Sequence, residues 1–125
     1  MKTKTKTTKQ LAKEYLNYWK KQLRLLDWKF TIKVVDKIEE LSCFGITKQH
    51  PTDQSADIEV FDPEKIPEDW RGIRDLEVTI VHEILHTRLL YALGKKCDWH
   101  GESAIEIIAT ALVANRRGVN PEELE

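Results

Sequence analysis

From Gln10 to about Leu26, apolar side chains recur at steps of three and four: Leu11, Tyr15, Tyr18, Trp19, Leu23 and Leu26. That is the period of a helix with one buried face, and its aromatic members read as core packing. The period then changes. Asp27 to Val35 alternates and is rich in β-branched and aromatic residues, so it predicts a strand burying Trp28, Phe30, Ile32 and Val34. Ser42 to Gln49 reads as a second strand, in which Gly45 marks a bulge or a close backbone approach. His50 to Asp53 is turn chemistry, and Ser55 to Phe61 is a third strand ended by Asp62 and Pro63. Pro63 to Gly72 reads as a loop, with or without a short helical turn. Ile73 to about Leu93 returns to the helical period, with Val78, Val81, Ile84, Leu85 and Leu89 as its apolar stripe and Gly94 as its stop. Asp98 is a suitable N-cap for a last helix from about Trp99 to Arg116, whose inner face carries Ile105, Ile108, Ala109, Leu112 and Val113. Asn120 to Glu123 is a frayed tail or one extra turn.

The order α-β-β-β-α-α predicts a small α+β domain: an N-terminal helix, a three-stranded, mostly antiparallel sheet, then a long helix and an antiparallel C-terminal one. At 125 residues the chain is long enough for one core and too short for two. Residues 1–9 are a basic, low-complexity tail expected to be disordered, 10–118 the domain and 119–125 a C-terminal tail.

Charge and cysteine content narrow the partners. A net charge of −1 argues against nucleic acid spread over the whole surface, although Lys2, Lys4, Lys6 and Lys9 offer a local basic tether. Two cysteines, Cys43 and Cys97, do not make a disulfide framework and read as free thiols of a reducing compartment. No apolar run has the length of a membrane helix, and the first residues lack a signal peptide's apolar centre, so the cytoplasm is the expected location.

The chemistry concentrates in Thr79 to His86. His82 and His86 stand four apart inside an apolar helical run, so both rings project from one face and can grip one metal ion. Glu83 follows the first histidine, placed to take a proton from a metal-activated water. Two histidines and a glutamate in a buried helix need partners, because unpaired buried polar groups cost several kcal/mol. A catalytic zinc site commonly has three protein ligands. The third is expected from the last helix, which a short turn sends back beside the first and which offers His100, Glu102 and Glu106. Hairpin symmetry favours Glu106: His86 lies about seven residues before the end of one helix, and Glu106 about as far into the next.

Thr79 to Val113 resembles the core of the gluzincin-type zinc metallopeptidases, where H-E-x-x-H is followed on the next helix by a glutamate ligand and, four residues on, by a second acid or amide. The resemblance implies Glu102 as ligand and Glu106 as the group that fixes a histidine's tautomer. With Asp27-Trp28 opening the first strand and the Ala56-Asp57-Ile58 strand ahead of the motif helix, the layout also resembles small phage- and prophage-encoded metallopeptidases related to the peptidases that cleave phage repressors. His100-Gly101 faintly resembles the His-Gly ligand of the SprT-like metalloproteases. In such zincins a sheet-edge strand pairs with the substrate backbone, which implies Ser55 to Phe61, with Ala56, Asp57 and Ile58 at its centre.

The expected function is therefore a zinc peptidase of narrow, regulatory specificity, holding one Zn2+ and acting on a protein or peptide. Two readings compete with it: a non-catalytic zincin-fold protein that binds a protein or DNA, and a nucleic-acid-associated protease tethered by its lysine tail.

Overall fold

The computed structural model describes residues 5–36, 44–70, 72–93 and 99–125. Its first helix, α1 (Thr8–Gln22), begins earlier than the apolar period suggests because Thr7 caps it. Gln10 N–H donates to Thr7 Oγ1 at 3.1 Å and Thr7 N–H donates to the Gln10 side chain at 2.8 Å, so two amides at the helix start find acceptors. The expected tail of residues 1–9 therefore ends inside a helix. The helix also stops sooner than expected, since Arg24 takes a left-handed φ of 57°. The turn exchanges the roles of two leucines: Leu25 becomes buried, and Leu26, expected on the inner face, is 63% exposed. Arg88 closes this end by donating to the carbonyls of Leu23 at 3.0 Å and Arg24 at 2.6 Å.

Strands β1 (Lys29–Val35), β2 (Gly45–His50) and β3 (Ser55–Phe61) form one sheet in the order β1-β3-β2. β2 runs antiparallel to β3, and β1 runs parallel to it. The sheet is thus evenly mixed, not mostly antiparallel. The β2–β3 link, a 3-10 turn (Pro51–Asp53) followed by Gln54 at φ 52°, is tight enough to dictate an antiparallel return. The register sets Phe30, Ile32 and Val34 beside Ala56, Ile58 and Val60, and this face packs into the core. On the opposite face Asp57 accepts from Thr31 and lies 3.0 Å from His50 Nε2.

The motif helix α2 (Leu76–Leu93) is enclosed on all sides over Glu77–Thr87. Asp75 caps its start, accepting from Val78 N–H at 3.1 Å. The last helix, α3 (Trp99–Arg117), lies alongside it and buries Ile105, Ala109, Val113 and Ala114, while Ile108, expected inside, is 41% exposed. A 3-10 turn (Pro121–Leu124) ends the chain.

One buried carboxylate ties the three helices. Glu77 is fully buried and accepts from Trp19 Nε1 of α1 at 2.7 Å and Arg116 Nε of α3 at 2.6 Å. Arg117 adds a bond to Glu77 and a forked pair to Asp75 at 2.7 and 2.9 Å. Burial opposes the charge on Glu77, but the bonds from Arg116, Trp19 and Arg117 outweigh it and hold the carboxyl below its usual pKa. This network ties the start of α2, the helix that carries His82 and His86, to α1 and to the end of α3. Among the described residues no helix is long and apolar enough to cross a membrane. Lys2, Lys4, Cys43, Gly94, Cys97 and Asp98 lie outside the described residues.

Candidate metal centre

α2 and α3 run antiparallel, since His82 meets Glu102 while Glu77, earlier on α2, meets Arg116, later on α3. One helical turn separates His82 from His86, and their ring centroids lie 5.0 Å apart. Glu102 reaches both. Its Oε2 is 2.8 Å from His82 Nε2, and its Oε1 is 3.0 Å from His86 Nε2. His82, His86 and Glu102 each offer an atom within 4.8 Å of the others, and this cluster can hold a metal ion.

The fit can be tested on geometry. Zinc with bonds of about 2.0–2.1 Å in a tetrahedron holds neighbouring ligand atoms roughly 3.3 Å apart. The contacts of 2.8 and 3.0 Å need to open only slightly to admit such an ion. Two imidazoles and a carboxylate form a set that divalent zinc accepts.

Glu106, four residues beyond Glu102, faces the other nitrogen of His82: its Oε2 lies 3.4 Å from Nδ1. His82 therefore has an acid on each side. Burial alone would lower its pKa, but the bond to Glu106 and the charges of Glu83 and Glu106 overcome that and raise it from 6.5 to about 9. For His86 burial is the largest influence and leaves its pKa lowered, against the opposing charge of Glu102. The side chain of His100 lies outside the described residues.

Glu83 turns away from α3 toward the sheet and is only 5% exposed. Burial pushes its carboxyl up to about 7, against the opposing pull of His82 and a bond from Thr47. Thr47 Oγ1 donates to Glu83 Oε1 at 2.7 Å. Gly45, on the same face of β2, does make a close approach: a Cβ there would stand 3.0 Å from Glu83 Cγ, Glu83 Oε2 and Thr79 Cγ2. The glycine lets strand and helix meet, and that contact lets Thr47 reach the carboxylate.

Ala56, Asp57 and Ile58 do not form a substrate-pairing edge. β3 is the central strand, with its backbone paired to β1 on one side and β2 on the other, so neither side is free. Ala56 and Ile58 are core residues, and Asp57 points to the far face. The edge beside Glu83 is β2. Thr47 had no motif to announce it; its signal lies in the alternation that puts it on Gly45's side of the strand. Lys6, one of the tail lysines, pairs with Glu14 at 2.7 Å.

Comparison with known proteins finds no matching family model, no matching curated protein and no matching solved structure.

Proposed function

We propose that this chain is a zinc-dependent peptidase. One observation carries the reading: a single carboxylate, Glu102, spans the two motif imidazoles at 2.8 and 3.0 Å. His82, His86 and Glu102 would hold the ion, and Glu106 would hold His82 by its outer nitrogen. Zinc bound there supplies a Lewis acid for the scissile carbonyl and lowers the pKa of water. Glu83 takes the proton from the attacking water and delivers it to the leaving amine. In the metal-free chain burial holds this carboxyl up at about 7, above the ordinary carboxylate range and on the side that favours proton uptake. An extended peptide would lie along β2, the free edge next to Glu83, pairing with its backbone by strand addition.

A second reading keeps the metal and drops the hydrolysis. It is favoured by the burial of Glu83 and its existing bond to Thr47, which leave the carboxylate little room to move. Glu83→Gln separates the two. Purified chain and variant are loaded with zinc, checked by elemental analysis and incubated with a random peptide mixture read by mass spectrometry. A peptidase yields cut peptides with the parent chain only, at equal zinc content. Identical product profiles for parent and variant would leave a metal-binding protein without this chemistry.

A further inference from the structure

We propose that Thr47 is a positioning residue whose hydroxyl holds the carboxylate of Glu83 in one place, next to the proposed ligand His82, an inference that rests on the peptidase reading above. A hydroxyl has one proton to donate. The 2.7 Å contact to Glu83 Oε1 uses it; the 3.2 Å approach to the main-chain oxygen of Glu83 is the weaker alternative. The Thr47 bond occupies one lone-pair direction of Oε1 and leaves Oε2 unengaged by that hydroxyl. That oxygen lies against Gly45, where any side chain would occupy its place.

The device is carried by an edge strand. β2 pairs with β3 through Gly45–His50 and, among the described residues, has no strand on its other side. Thr47 and Gly45 project from one face of it onto Glu83, one through a hydrogen bond and one through the space its missing side chain leaves. A glutamate side chain has three rotatable bonds, and fixing them by burial alone leaves the last torsion broad. The Thr47 bond sets that torsion. It is a bond to a carboxyl group in a site shielded from water, where such bonds are strong. The same strand that offers a peptide its backbone would then also hold the base, so substrate register and base position are fixed by one element.

Acetohydroxamic acid tests this without turnover. Hydroxamates chelate zinc through two oxygens and give up a proton to a neighbouring base, so their affinity reports whether a base is correctly placed. The zinc-loaded full chain, Thr47→Val, Thr47→Ser and Glu83→Gln are titrated with acetohydroxamic acid by calorimetry, and zinc affinity is measured for each. Thr47→Val should bind the hydroxamate about tenfold more weakly, approaching Glu83→Gln, with zinc affinity unchanged. Thr47→Ser should restore binding to within about twofold of the parent chain. Parent-like hydroxamate binding by Thr47→Val overturns the proposal while leaving the base intact. So does a parallel loss of zinc affinity in Thr47→Val, which would make the hydroxyl a support for the ligands. Parent-like binding by Glu83→Gln removes the base itself, and the peptidase reading with it.

Discussion

Glu106 Oε2 stands 3.4 Å from Nδ1 of His82, on the far side of the ring from the atom that faces Glu102. An acceptor at Nδ1 holds the proton there and leaves Nε2 bare for a metal. Glu106→Ala should weaken zinc binding by about tenfold to a hundredfold, the usual cost of losing such a support. Glu106→Gln keeps an acceptor oxygen and should lose less. Glu102→Ala, which removes a proposed ligand, should lose more than either. Competition against a fluorescent chelator ranks the three; equal affinities for Glu102→Ala and Glu106→Ala would contradict the division of roles.

The same pair gives metal binding a pH dependence. Without metal, His82 binds a proton up to about 9, so near neutrality zinc must displace it. Affinity should rise with pH toward about 9 and then level, with proton release falling away. Calorimetry in buffers of different ionisation enthalpy counts those protons. Stability of the metal-free chain should move the opposite way. His82 rises from 6.5 to about 9 in the folded state, so its contribution is complete below 6.5 and lost as pH climbs through 9. Glu83, raised from 4.5 to about 7, has the same sign: its contribution is complete below 4.5 and lost through 7. Urea midpoints of metal-free protein should therefore fall between pH 6.5 and 9, and saturating zinc should reduce that fall.

Much of this site was legible before any coordinate. The i, i+4 spacing fixes two rings on one helix face wherever that helix goes, and the three strands follow from the period of their apolar residues. The third ligand was not fixed by local rules. Hairpin symmetry points to Glu106 and the family resemblance to Glu102; the rotation of α3 brings Glu102 to both rings and Glu106 to the outer nitrogen of His82. That rotation is set at the far end of the helix, where Arg116 and Arg117 meet Glu77 and Asp75. Nothing in the pattern singles out Glu77, because a lone glutamate early in a helix resembles any solvated charge. Strand order was equally hidden. Periodicity shows which residues face inward but not which strand lies between the other two, and so Ser55–Phe61 was mistaken for an edge. Ile108 shows the limit within one helix: it fits the apolar period, but Ile105, Ala109 and Val113 hold the buried positions and Ile108 stays 41% exposed.

The inward face of α3 has a direct test. Ile105→Ala removes a side chain that is 1% exposed and should cost about 3 kcal/mol through lost burial and the cavity left behind. Ile107→Ala, at a position 67% exposed, should change stability by under about 0.5 kcal/mol. Urea denaturation compares them. Similar costs would mean that α3 is rotated, which would also move Glu102 away from the histidines.

The Glu77 network should behave as a clamp on the metal centre although it touches no proposed ligand. Glu77→Ala leaves Trp19 Nε1 without its acceptor and two guanidinium groups without their shared carboxylate, and breaking a buried charged network of this kind costs about 3 kcal/mol. Glu77→Gln keeps the shape and one acceptor but removes the charge, so it should cost less. Acid removes the charge too. The folded pKa lies below the usual 4.5, so the contribution is complete above 4.5 and lost as pH falls through the lowered value. The parent chain should therefore lose stability on acidification more steeply than Glu77→Gln, in which that position no longer titrates. Because Glu77 lies on the same helix as His82 and bonds the same partner helix as Glu102, loosening it should also weaken zinc binding. The expected result is a lower zinc affinity in Glu77→Gln at a pH where the variant is still fully folded. A variant that loses stability but binds zinc as the parent does would show that α2 and α3 keep their register without the clamp.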